Sequence, residues 1–84
     1  MYSLYLARSA RKELERLTDP VLGRIAAVLD RLPREPRPRG CKKLRGTQNI
    51  WRVRVGPYRI IYLVDDTTRR IEVRAIGDRK DLYE

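Results

Sequence analysis

IWRVRVGPYRIIYLV, residues 50–64, decides the fold. Six residues of alternating character run into Gly56-Pro57, and a second run rich in β-branched and aromatic residues leaves it, which is the pattern of a β-hairpin. A two-residue loop at Gly56-Pro57 sets Val55 opposite Tyr58, Arg54 opposite Arg59, Val53 opposite Ile60 and Trp51 opposite Tyr62. Side chains alternate across a strand, so Trp51, Val53 and Val55 share one face while Arg52 and Arg54 take the other. One face becomes an aliphatic and aromatic layer, suited to receive helices. The other gathers Arg52, Arg54 and Arg59. Like charges directly opposite on a sheet are unfavourable, so such a cluster calls for neighbouring carboxylates or an external anion. The local acidic supply is thin, because only Glu72 lies inside a strand. The residues therefore point to an anion.

Working outward, the aspartate- and threonine-rich stretch 65–69 reads as a turn and residues 70–76 as the next strand. Upstream, residues 41–45 form a short strand closed by Gly46. Before it, PREPRPRG (residues 33–40) has three prolines in six residues, which favour an extended connection; Arg34, Arg37 and Arg39 read as the charges of a solvated linker. Two amphipathic helices precede this segment. The first has Ser9 as N-cap and Ala10, Leu14 and Leu17 on its apolar stripe. The second has Asp19 as N-cap, Pro20 at its first position, Val21, Ile25, Val28 or Leu29, and Leu32 on its stripe, and ends at Pro33. Residues 2–7 alternate loosely and read as a first strand. The expectation is an α+β fold occupying residues 1–84 as one domain: an N-terminal strand, an α-helical hairpin, then a four-stranded, antiparallel-rich twisted sheet.

Composition narrows the function. Twenty Lys and Arg against eleven Asp and Glu give a formal charge of +9, with no histidine. Such a field attracts polyanions, and with helices of mixed charge the partner class it favours is nucleic acid rather than a membrane surface. No apolar run approaches the roughly 20 residues that a bilayer requires, and residues 1–8 lack the layout of a secretory signal. Cys41 is the only cysteine, so no internal disulfide forms and the cytoplasm is the expected compartment. No His or Cys cluster suggests a metal, no glycine loop suggests a nucleotide, and no cofactor is expected.

Three segments in order, KLRG (43–46), WRVRVGPYRIIY (51–62) and IGDRKDLY (76–83), resemble the RelE family of the RelE/ParE type II toxin–antitoxin superfamily. The resemblance covers essentially the whole chain. It implies a metal-independent endoribonuclease that cuts messenger RNA in the ribosomal A site and inhibits translation. It also implies a cognate antitoxin that silences it, with operator DNA reached only through the antitoxin complex. Residue by residue, Arg52 and Arg54 match the basic pair at the scissile region, and Arg59 the arginine that stabilises the transition-state phosphate. Arg79 matches a second arginine near the reacting group, and Tyr83 a C-terminal tyrosine that stacks on a base or assists proton transfer. Lys43 and Arg45 match a basic strand that holds RNA phosphates.

The chemistry agrees with this inventory. RNA carries its own nucleophile, the 2′-hydroxyl, so positioning and charge stabilisation suffice to cut it. Arginine presents a planar, permanently charged donor fork to phosphate but is a poor general base. Position 78, often histidine or lysine in relatives, is Asp78, and the candidate proton acceptors are Glu72, Asp78, Asp81 and Tyr83. Two other readings stay open at the sequence level: a ParE-like inhibitor of DNA gyrase, and a non-catalytic RNA- or ribosome-binding module.

Overall fold

The structure is a computed structural model and describes residues 1–78. Strand β1 (Ser3–Leu6) leads into helices α1 (Arg8–Arg16) and α2 (Val21–Arg31). Strands β2 (Lys42–Lys43), β3 (Ile50–Val55), β4 (Tyr58–Asp65) and β5 (Arg70–Asp78) follow. They form one mixed sheet in the order β1-β5-β4-β3-β2, with β1 parallel to β5 and every other neighbour antiparallel. This is the α+β arrangement expected, with the N-terminal strand closing one edge.

The hairpin has the expected register: Val55 faces Tyr58, Arg54 faces Arg59, Val53 faces Ile60 and Trp51 faces Tyr62. Gly56 adopts φ 60°, the positive value that a tight hairpin loop asks of its first residue and that glycine meets without steric cost. The inward face of the sheet packs on the helices. Val53, Ile60, Tyr62, Val64, Ile71, Val73 and Ile76 form one buried cluster with Ala10, Ile25, Leu29 and Leu32. Each aliphatic side chain so buried contributes about 1.5–3 kcal/mol before the entropy of ordering is set against it.

Strand β5 reaches that packing by a device that simple alternation does not contain. Tyr62 pairs with Val73 and its neighbour Ile61 with Ala75, so Arg74 is an extra residue, a β-bulge. The bulge shifts the parity by one. Ile71 and Val73 face inward before it and Ile76 after it, while Glu72, Ala75 and Gly77 turn to the outer face. The Ser9 hydroxyl donates to the Arg74 carbonyl at 3.1 Å, tying α1 to the bulge.

Four local expectations are corrected. Helix α1 begins at Arg8 with Ala7 in the cap position, and Ser9 is spent on the bulge rather than on capping. Helix α2 begins at Val21 with Pro20 one position outside it, although Asp19 does cap the turn by accepting from the Gly23 amide at 3.0 Å. The proline-rich connection is not a solvated linker. Pro38 is buried. The Tyr62 hydroxyl donates to the Pro36 carbonyl at 2.7 Å, and Arg37 bridges to Asp66 at 2.7 Å while lying 5.1 Å from the Trp51 ring centroid. Trp51 was expected in the core with Val53, Ile60 and Tyr62. It is only partly buried, because its neighbour on the short edge strand β2 is Lys43, and Arg37 covers it instead.

Candidate nucleic-acid interface

The outer face of the sheet is the face opposite the helices. Two of the arginines of the hairpin are sunk in it: Arg52 is 5 % exposed and Arg59 8 %, whereas Arg54 is exposed. Arg54 stands directly across from Arg59, and on the other side of Arg59 stands Gly77, which has no side chain to fill that face. Two residues along, Arg52 faces Ile61 on one side and Lys42 on the other. Burying a guanidinium is costly unless it is hydrogen-bonded or paired. Both side chains make interactions within the chain, and their depth in the sheet restricts the positions that their charge can take. A pre-positioned charge of this kind can stabilise an anion without reorganising.

Beside Arg52, an open depression of about 290 Å³ is lined by Lys42, Lys43, Leu44, Arg45 and Arg52. The expected pair Lys43 and Arg45 therefore lies next to the arginine cluster. Lys42 is an addition: alternation counted from Arg52 across the β2–β3 ladder would have found it, because it is the residue in register with Arg52. Leu44, one of the lining residues, is tied to the following loop by the Thr47 hydroxyl, which donates to its carbonyl at 2.7 Å.

The proton-transfer candidates separate. Asp78 closes β5 in register with Tyr58, one residue past the Arg59–Gly77 pair, and alternation places it on the other face of the sheet from Arg59. Glu72 is in register with Leu63 and forms an ion pair with Arg74 at 3.0 Å, four residues from Arg59 along the ladder, a distance of about 13 Å. Glu72 thus belongs to a different part of the face. Arg79, Asp81 and Tyr83 lie outside the described residues. Among the described residues no three acidic or cysteine side chains stand together as a group able to hold a metal, and no helix is long and apolar enough to cross a membrane.

Comparison with known proteins gives this arrangement a family. The sequence matches, over residues 4–83, the family described as ParE toxin of type II toxin–antitoxin systems, parDE. The chain belongs to that family. Within it the resemblance runs to RelE toxins. A Methanocaldococcus jannaschii protein assigned as toxin RelE1 is 27 % identical over 98 % of this chain and 94 % of its own. The RelE–RelB complex of Pyrococcus horikoshii superposes with a TM-score of 0.83 at 29 % identity, covering 96 % of this chain and 98 % of the other. The RelE toxin of Escherichia coli follows with a TM-score of 0.82 at 26 % identity over 93 % and 84 %. In the RelBE2 toxin–antitoxin complex of Mycobacterium tuberculosis the figures are 0.72, 30 %, 93 % and 98 %. The two helices and five-stranded mixed sheet are the fold of these RelE-type toxins.

Proposed function

We propose that this RelE-type toxin is an endoribonuclease that cuts messenger RNA in the ribosomal A site, without a metal, and is silenced by a cognate antitoxin. The observation that carries the reading is the row Gly77–Arg59–Arg54 with Arg52 beside it: buried and exposed arginines concentrated on one sheet face, next to a basic depression.

In the proposed reaction the 2′-hydroxyl of the RNA attacks the adjacent phosphorus. As the new O–P bond forms, the bond to the 5′-oxygen breaks, giving a 2′,3′-cyclic phosphate and a 5′-hydroxyl. Charge accumulates on the non-bridging oxygens in the transition state. Arg59 is assigned to them, because it is sunk in the sheet face and a guanidinium offers two parallel donors to a phosphate. Arg52 and Arg54 hold the strand on either side, and Lys42, Lys43 and Arg45 hold flanking phosphates. One proton must leave the 2′-hydroxyl and one must reach the departing oxygen. Asp78 is the described carboxylate closest to this row in the ladder, one residue past Gly77 at the end of the strand, and would have to turn round that end to serve it, while Arg79 and Tyr83 are assigned to the same centre on the family resemblance. The complexes of the Pyrococcus and Mycobacterium relatives with their antitoxins support a cognate antitoxin here.

Induction in cells, followed by mapping of messenger 5′ ends, tests the proposal. Cuts within translated codons bearing 5′-hydroxyl ends are expected. The family match by way of ParE keeps a second reading in view, inhibition of DNA gyrase. Intact messengers together with inhibited supercoiling by purified gyrase would establish that reading instead.

A further inference from the structure

The outer face does not stop at the arginines. On β5 and β1 it continues with Glu72, Arg70 and Tyr5, since Leu63 pairs with Glu72, Glu72 with Tyr5, and Arg70 with Ser3. Leu4 and Leu6 turn the other way, onto the core. Tyr5 is 48 % exposed, an unusual position for an aromatic ring, and the Arg70 Cζ lies 4.7 Å from its centroid. A phenol ring and a guanidinium stacked on an open sheet face are the two kinds of plane on which proteins lay single-stranded RNA bases.

The surrounding charges leave this pair available to an anionic strand. Asp65 is in register with Arg70, but its carboxylate is turned into its own loop, accepting from the amides of Thr67 at 3.0 Å and Thr68 at 3.2 Å. Those amides, Thr68 first, hold the Asp65 carboxyl below the ordinary carboxylate range. Glu72, the carboxylate lying between Tyr5 and the arginines, is ion-paired with Arg74. Tyr5 stands two strands over from Arg59, about 10 Å, and four residues along, about 13 Å. A few nucleotides of extended strand cover that span.

We infer that Tyr5 and Arg70 form a stacking subsite for a base of the same RNA strand whose phosphate sits at Arg59, a few nucleotides from the cut. The inference rests on the proposed RNA-cleaving reading and extends its substrate site from the β3–β4 hairpin to the β1 edge. Stacking is tolerant of sequence, so the subsite contributes length dependence and a preference for well-stacking bases rather than a code.

The test is binding of fluorescent single-stranded RNAs of about 4 and about 10 nucleotides, spanning the range of single-strand site sizes. They carry 2′-O-methyl groups so that no cleavage intervenes, and binding to the full chain is read by anisotropy. Wild type is expected to bind the longer RNA about ten-fold more tightly than the shorter, in the range of one stacked base. Tyr5→Ala loses that gain, Tyr5→Phe keeps it, and Arg70→Ala loses most of it, all with the melting temperature unchanged. Arg54→Ala, which removes a strand-holding contact, weakens both lengths alike. A Tyr5→Ala protein that keeps the full gain, or a Tyr5→Phe protein as poor as Tyr5→Ala, overturns the subsite while leaving the arginine site standing. An Arg54→Ala protein that binds both RNAs as wild type does, with the Tyr5 effect intact, overturns the assignment of the arginine face to RNA and leaves the stacking pair standing. Failure of wild type to bind either RNA overturns both.

Discussion

Arg54 and Arg59 lie directly across the β3–β4 ladder from each other, one exposed and one buried. The asymmetry divides their roles. Arg59→Ala is expected to slow cleavage by ~10²–10³, the scale for removing one preorganised donor to a developing oxyanion, with ribosome association little changed. Arg54→Ala is expected to act chiefly on KM. Arg59→Lys should recover only part of the loss, because a point charge cannot reproduce the planar fork. Single-turnover cleavage on programmed ribosomes distinguishes these outcomes. Equal effects of Arg54→Ala and Arg59→Ala on the chemical step would contradict the division.

Binding to RNA backbone should weaken steeply with salt as fewer counterions are released on association. Lys42→Ala, Lys43→Ala and Arg45→Ala should each flatten the log–log salt slope by roughly one unit. Lys42 is in register with Arg52 and Lys43 with Trp51, so the loss of cleavage should be greater for Lys42→Ala. A salt-independent affinity would point to protein recognition instead.

Asp66 ties together Arg37 of the proline-rich connection and Tyr2, whose hydroxyl donates to it. Arg37 chiefly, and Tyr2 next, hold its carboxyl below the ordinary range. A carboxyl lowered in the folded chain stabilises the fold above its unfolded pKa, and that contribution disappears as pH falls through the folded value. Wild type should therefore melt higher than Asp66→Asn at neutral pH, and the gap should close below about pH 4, where free aspartate titrates. Melting temperatures across an acid series check this; a gap that persists in acid would show that Asp66 acts through shape alone.

Tyr62 has no exposed surface and donates to the Pro36 carbonyl. Burial, above all, pushes its phenol pKa up, so it stays a donor throughout the physiological range. Tyr62→Phe should cost about 1 kcal/mol in urea unfolding, the net worth of one such bond. It should also speed tryptic cleavage after Arg34 or Arg39, because the connection loses an anchor. Unchanged proteolysis would mean that the bond does not hold the segment.

The hairpin register was legible because the loop length is written in the sequence: two residues, Gly56 and Pro57, fix every pair from Val55–Tyr58 back to Trp51–Tyr62. The face carrying Arg52, Arg54 and Arg59 follows from that count alone. Their depth does not, because burial depends on what surrounds a side chain and alternation reports only its side. The anchoring of residues 33–40 was hidden for a related reason. Prolines and arginines signal an extended, soluble segment, but its partners Tyr62 and Asp66 lie 26 and 29 residues downstream. Ser9 looked like a cap because serine is a common one, and its hydroxyl was taken instead by a carbonyl 65 residues away. The subsite at Tyr5 went unread because an alternating first strand gives no hint of which strand it will join.

The extra residue at Arg74 has a consequence for how the length of this chain can change during evolution. Deleting it would bring Val73 next to Ala75 and leave Ile71, Val73 and Ile76 all still facing the helices, at the expense of one hydrogen bond from Ser9 and one surface ion pair. Deleting Glu72 would instead turn Val73 out to solvent and Arg74 into the core. Strand β5 thus has an expansion joint. Relatives that differ by one residue in this strand should carry the gap here, keeping both the core upstream and the alignment of Gly77 with Arg59 downstream.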